Sequence, residues 1–138
     1  MNETIREAII SVINSESDLI HSAYPTMQST FAGFPACVVS PSEVSSDYGS
    51  TVRDRREYVF TLRIYYPVAK ESEQATVENR LDKVVDELFD IFKERKVLGV
   101  ACDWVAPNNG EWGSTTASET VYRWASITLR CVKMVANV

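Results

Sequence analysis

Glu57-Tyr58-Val59-Phe60-Thr61-Leu62-Arg63-Ile64-Tyr65-Tyr66 sets the frame for the rest of the chain. Successive side chains of a strand point to opposite faces, so Tyr58, Phe60, Leu62, Ile64 and Tyr66 share one side, and Val59, Thr61, Arg63 and Tyr65 the other. The segment reads as a strand with a core-facing side, stopped by Pro67. Just upstream, Ser42 to Arg56 holds Ser42, Ser45, Ser46, Gly49 and Ser50 and almost nothing apolar. It reads as a loop of about 15 residues, a length that marks a functional or mobile segment in a compact domain. Before it, Phe34-Pro35-Ala36-Cys37-Val38-Val39 is a brief apolar strand ending at Ser40-Pro41, with Pro35 at its start, where a missing amide hydrogen matters least.

Downstream, Lys70 to Lys96 reads as the longest helix, starting near Ser72. Leu81, Val84, Val85, Leu88, Phe89, Ile91 and Phe92 form a broad apolar stripe, and Lys93, Arg95 and Lys96 complement the negative end of its dipole. Val97 to Val105 reads as a third strand, and Pro107-Asn108-Asn109-Gly110-Glu111-Trp112-Gly113 as a turn-rich loop. Glu119 to Val135 alternates for a long stretch with large apolar residues on both faces; unbroken, it spans roughly 55 Å. At the other end, Ile5, Ala8, Ile9, Val12 and Ile13 mark an amphipathic helix over Asn2–Ser15. Thr4 and Glu7 have capping-box spacing, and Asn14 and Ser15 end the helix by competing for backbone hydrogen bonds. Residues 17–33 are mixed, with a break at Tyr24-Pro25. The order α-β-β-α-β-β predicts a single α+β domain over residues 1–138, with a mainly antiparallel sheet of about four strands and the helices on one face.

Composition narrows the function classes. The 138 residues are 45% hydrophobic and 24% charged, enough for a core and too apolar for a disordered chain. The formal net charge is -5, from 14 basic and 19 acidic residues. Stable DNA binding rests on a basic face that releases counterions, so this balance argues against it and permits only DNA in transit. No targeting segment is visible and the apolar runs are too short to cross a bilayer, which predicts folding in the cytoplasm and no membrane partner. Cys37, Cys102 and Cys131 are an odd number in apolar surroundings, with no metal-ligand spacing, and read as buried small thiols. No phosphate-binding glycine loop, nucleophile elbow or zinc-protease motif occurs, and the lone His21 has no triad partners in pattern. Neither a catalytic residue nor a cofactor or metal is expected.

Three features remain as candidates. Glu78, Asp82, Asp86, Asp90 and Glu94 recur at i+4 on the long helix, setting like charges side by side. They read as a solvated face, or as an acidic surface lining a channel or docking a basic partner, with Glu78, Asp82, Asp86 and Asp90 the pore-facing candidates; the row looks too wet for paired catalytic carboxylates. Arg53, Asp54, Arg55 and Arg56 form a basic cluster at the end of the Ser-rich stretch. Ser50, Arg53, Arg55 and Arg56 are interface candidates, because arginine is enriched at interfaces. Trp112, between two glycines, either folds back onto the domain or anchors a partner.

This succession resembles the tail-terminator proteins of long-tailed bacteriophages, also known as tail-to-head joining or minor tail proteins. The opening helix Glu3–Ile13, Phe34–Val39, the Ser-rich insertion, Tyr58–Pro67, the acidic amphipathic helix around Leu81–Phe92 and the closing strand Tyr122–Met134 carry the likeness. The resemblance implies a structural virion protein assembled in the host cytoplasm as a ring, typically a hexamer, on the end of the tail tube. Its partners would be copies of itself, the tail tube protein and the head-tail connector protein, with DNA only passing through. A head-tail connector or tail-completion protein of the same neck region is the alternative, and a small oligomeric ligand-binding or regulatory domain is the alternative from another class.

Overall fold

The computed structural model describes residues 2–28, 30–48, 53–94, 102–117 and 119–136. In chain order it comprises α1 (Asn2–Glu16), β1 (Ser22–Tyr24), β2 (Ala36–Tyr48), β3 (Arg53–Pro67), a 3-10 turn (Glu71–Glu73), α2 (Gln74–Glu94), β4 (Trp104–Ala117) and β5 (Thr120–Ala136). The strands form one sheet in the order β1-β2-β3-β5-β4. β1 joins β2 in parallel, and every other neighbouring pair is antiparallel.

β3 sits at the centre because both of its faces carry residues worth covering. On one face Tyr58, Phe60, Leu62 and Ile64 are buried, opposite Cys131, Leu129, Ile127 and Ala125 of β5. Both helices lie on this face. Ile5, Ile9 and Ile13 of α1 and Val77, Leu81, Val84, Val85, Leu88 and Phe92 of α2 share one core with it. Their i, i+4 and i+3 steps put them on one side of each helix, which is what turns the stripes of the sequence into a packed layer. On the other face, residues 25–28 and 30–35 fold beneath one end of the sheet. Phe31, Tyr65 and Tyr122 are buried there, with Tyr24, Phe34 and Trp124 around them. Phe31 stacks on Tyr65 at 5.9 Å between centroids, and Tyr122 meets Tyr65 edge-on at 6.1 Å. Among the described residues, no helix covers the rest of this face.

The α+β class, the single mostly antiparallel sheet and the placement of both helices on one side agree with the sequence reading. The strand count and boundaries do not. A short fifth strand, β1, lies in the segment read as mixed. The segment Ser42–Arg56 is not a 15-residue loop: β2 continues to Tyr48 and β3 begins at Arg53, with Glu43 to Tyr48 paired to Val59 to Asp54. Pro107–Gly113 is not a loop either, but the middle of β4, whose turn-like residues are absorbed by a bulge between Asn108 and Gly110. β4 accordingly begins at Trp104; most of the strand expected over Val97–Val105 lies outside the described residues. Thr4 lies inside α1, not at its cap, and α1 runs past Asn14 and Ser15 to Glu16. Asn14 instead turns its side chain outward, and its Oδ1 accepts a hydrogen bond from the Ala23 amide at 2.9 Å, tying the helix to β1.

Candidate interaction surfaces

The four long strands have 13, 15, 14 and 17 residues, against a usual five or six. α1 and α2 cover only part of their length: the start of β2 at Cys37 and Val39, β3 from Tyr58 to Ile64, the start of β4 at Val105, and the middle of β5 from Ala125 to Cys131. At the uncovered ends, large apolar side chains stand in solvent: Val44 on β2 is 50% exposed, Trp104 and Trp112 on β4 are 46% and 42%, and Val121 on β5 is 47%. Scattered apolar residues on a surface are ordinary, but four at the ends and borders of one sheet make a perimeter that is only partly wettable.

The basic cluster falls within the ladder of β3, which divides it. Strand alternation sends Arg55 and Glu57 to the helix-free face and Arg56 to the other, opposite Lys133 in register. Glu57 lies between two guanidinium groups, 3.6 Å from Arg55 and 3.4 Å from Arg130 on β5. Arg55 therefore belongs to a cross-strand charge network around Glu57, on the opposite face of β3 from Arg56. Arg53 is the first residue of β3, paired with Ala136. Ser50 lies outside the described residues. Trp112, expected in a loop, is held in β4 opposite Ala125, on the helix side of the sheet but beyond the helices' cover.

The acidic row of α2 separates into two kinds of residue. Glu78 is 3.0 Å from Arg123 of β5, so it fastens the helix to the sheet. Asp82, Asp86 and Asp90 are exposed, one turn apart, and form the solvated part of the row. Sequence reasoning missed the role of Glu87. Its carboxylate accepts hydrogen bonds from the Ser17 hydroxyl and, at 3.1 Å, from the Asp18 amide. Ser17 Oγ in turn accepts the Ile20 amide at 3.0 Å, so one acid on α2 orders the turn between α1 and β1. Nothing in the local pattern distinguishes Glu87 from its neighbours; its partners lie about seventy positions away.

Arg80 is similar. Its guanidinium lies over the Tyr66 ring, 5.3 Å from the centroid, and donates to the Tyr66 hydroxyl. Beside it a cleft of about 270 Å³ is bordered by Leu19, Phe34, Tyr66 and Lys83. On the open face, Arg63 stacks over Trp124 at 4.1 Å.

Among the described residues, chemistry-bearing side chains do not converge. Cys37, Cys102 and Cys131 are all buried. Burial pushes the Cys37 thiol up to about 12, and Cys131 is raised by its hydrogen bond with Cys102 and by burial. Such thiols stay protonated and are poor nucleophiles. His21 is exposed, with Nδ1 3.2 Å from Ser22 Oγ. Among the described residues no group of three or more His, Cys, Asp or Glu is placed to hold a metal ion, and no helix is long and apolar enough to cross a membrane. No protein-family model matches the chain, and no curated protein matches it.

Proposed function

We propose that this chain is a structural virion subunit that closes into a ring, hexameric by its likeness to tail terminators, on the end of a completed phage tail tube. The ring ends tube growth and offers the surface to which the head-tail connector attaches. One observation carries the reading: a sheet of very long strands, covered by helices over only part of their length, with Val44, Trp104, Trp112 and Val121 left half in solvent around it. A lone domain gains nothing from this extra length, whereas copies placed side by side bury it. The exposed Asp82, Asp86 and Asp90 suit a channel wall, because like charge keeps passing DNA from sticking.

Negative-stain images of the purified protein, alone and mixed with tail tubes, test this. Rings seated on tube ends are the expected result. Rings that bind filled heads and ignore tubes assign the chain to the connector side of the neck. A compact monomer at high concentration that leaves tubes bare overturns the reading.

A further inference from the structure

The sheet has two unequal borders. Among the described residues no strand pairs with the outer side of β4, and β1 covers β2 only at Ala36–Val38, leaving Val39–Tyr48 open. Alternate N–H and C=O groups along an edge strand point outward and need partners. We propose that copies of this chain join head to tail through these borders, Pro107–Ser114 of β4 in one copy hydrogen-bonding with Pro41–Tyr48 of β2 in the next. The inference rests on the ring reading and gives it a seam.

Strand sense makes the join possible without inverting a copy. β2 and β5 run one way, β3 and β4 the other, so a copy displaced sideways brings β4 antiparallel to β2. The two borders differ, so the contact is heterologous and closes by rotation into a ring. Pairing of β4 with itself about a two-fold axis would leave β2 open and set two Glu111 carboxylates beside each other, since Glu111 lies near the middle of β4.

Apolar residues set the stagger. Val44 and Trp112 lie on the same, helix-bearing side, each on a border strand and each exposed. Val44 is level with Tyr58 of β3, and Trp112 with Ile64, through Ala125. Sliding one copy by that interval, roughly 20 Å of strand, places Trp112 opposite Val44. The interval is even, so faces are preserved, and a sheet that closes on itself needs a stagger. The same slide puts Pro107 opposite Tyr48 and Pro41 opposite Ser114. Both prolines, which cannot donate, then fall at the ends of the shared ladder, with Gly110–Gly113 against Glu43–Ser46 between them.

Single-border variants test the seam. Neighbouring amides on an edge strand alternate in direction, so proline is placed at Ser45 or Ser46, and at Glu111 or Trp112; the member of each pair that keeps the wild-type circular dichroism spectrum is used. Each border variant alone should sediment as a monomer where the wild type sediments as a ring. An equal mixture of the β2-border and β4-border variants should give a one-to-one dimer, because one good border of each kind remains. Independently, the double variant V44C/W112C should oxidise into a ladder of covalent multimers ending at the ring, and either single variant should not. Border variants that still form rings, a mixture that stays monomeric, or a double variant that fails to cross-link overturns the seam. If such variants also still cap tubes, the ring reading stands without it. A wild-type protein that is monomeric and leaves tubes bare removes both.

Discussion

Gly113 shows how a single position was misread and why. Placed after Asn-Asn-Gly, it looks like turn punctuation, but β4 is extended there and the glycine serves close approach. A Cβ at Gly113 would enter the indole of Trp124, which is already held against the Arg63 guanidinium. Gly113→Ala should displace that ring and cost about 1–3 kcal/mol. The urea midpoint should fall with an unchanged slope, accompanied by a shift in tryptophan emission. The buried thiols, in contrast, were legible from their apolar neighbours. Because the Cys37 thiol sits near 12 when folded and near 8.5 when unfolded, the unfolded chain binds fewer protons between those values. Stability therefore falls as pH rises through that window, by about 1.4 kcal/mol per pH unit for this thiol. Urea titrations from pH 9.5 to 11 should show a slope shallower by that amount in Cys37→Ala, and an equal slope would place the thiol in water.

At the scale of elements, β3, β5 and both helices were legible because their periodicity has a core to answer to. Residues Ser42 to Tyr48 of β2 were not. On the helix side that stretch meets no helix, Val44 being half exposed, so it needs no alternating apolar residues and its serines resemble a loop. β4 was hidden for another reason: an edge strand tolerates Pro107, and a bulge takes up the extra asparagine. α2 bears the two clearest tests. Leu88 is fully buried between helix and sheet, and Leu88→Ala should cost about 2–5 kcal/mol in equilibrium unfolding. On the proposed ring reading, Lys at Asp82, Asp86 and Asp90 together should leave ring sedimentation unchanged, since none of the three has an ion-pair partner among the described residues, and should lower infectivity by slowing DNA passage. Full infectivity would take the row out of the channel. Glu78 is excluded from that set because its pairing with Arg123 is structural.

For the whole molecule, the sheet extends further than its helices, and the uncovered remainder is the candidate site. The class of fold and the side on which the helices pack followed from the order of segments. The borders did not, because which strand lies outermost depends on pairings between β3 and β5 about seventy positions apart. The proposed assembly would bind only the folded subunit, so on that reading the thermal midpoint of the wild-type protein should rise with protein concentration. The border variants should melt at one temperature throughout a hundredfold dilution series. A wild-type midpoint independent of concentration would mean that the long strands are stable without neighbours.

The shortest strand has a consequence out of proportion to its length. With three residues against Ala36–Val38, β1 would act as a doorstop in the proposed seam: a strand from the next copy could slide along β2 only as far as Val39 before it met the side of β1. The Trp112–Val44 contact sets the stagger of that proposed seam, and the stop limits how far it can overshoot. The stop itself is fixed from behind, by the latch from Asn14 to the Ala23 amide.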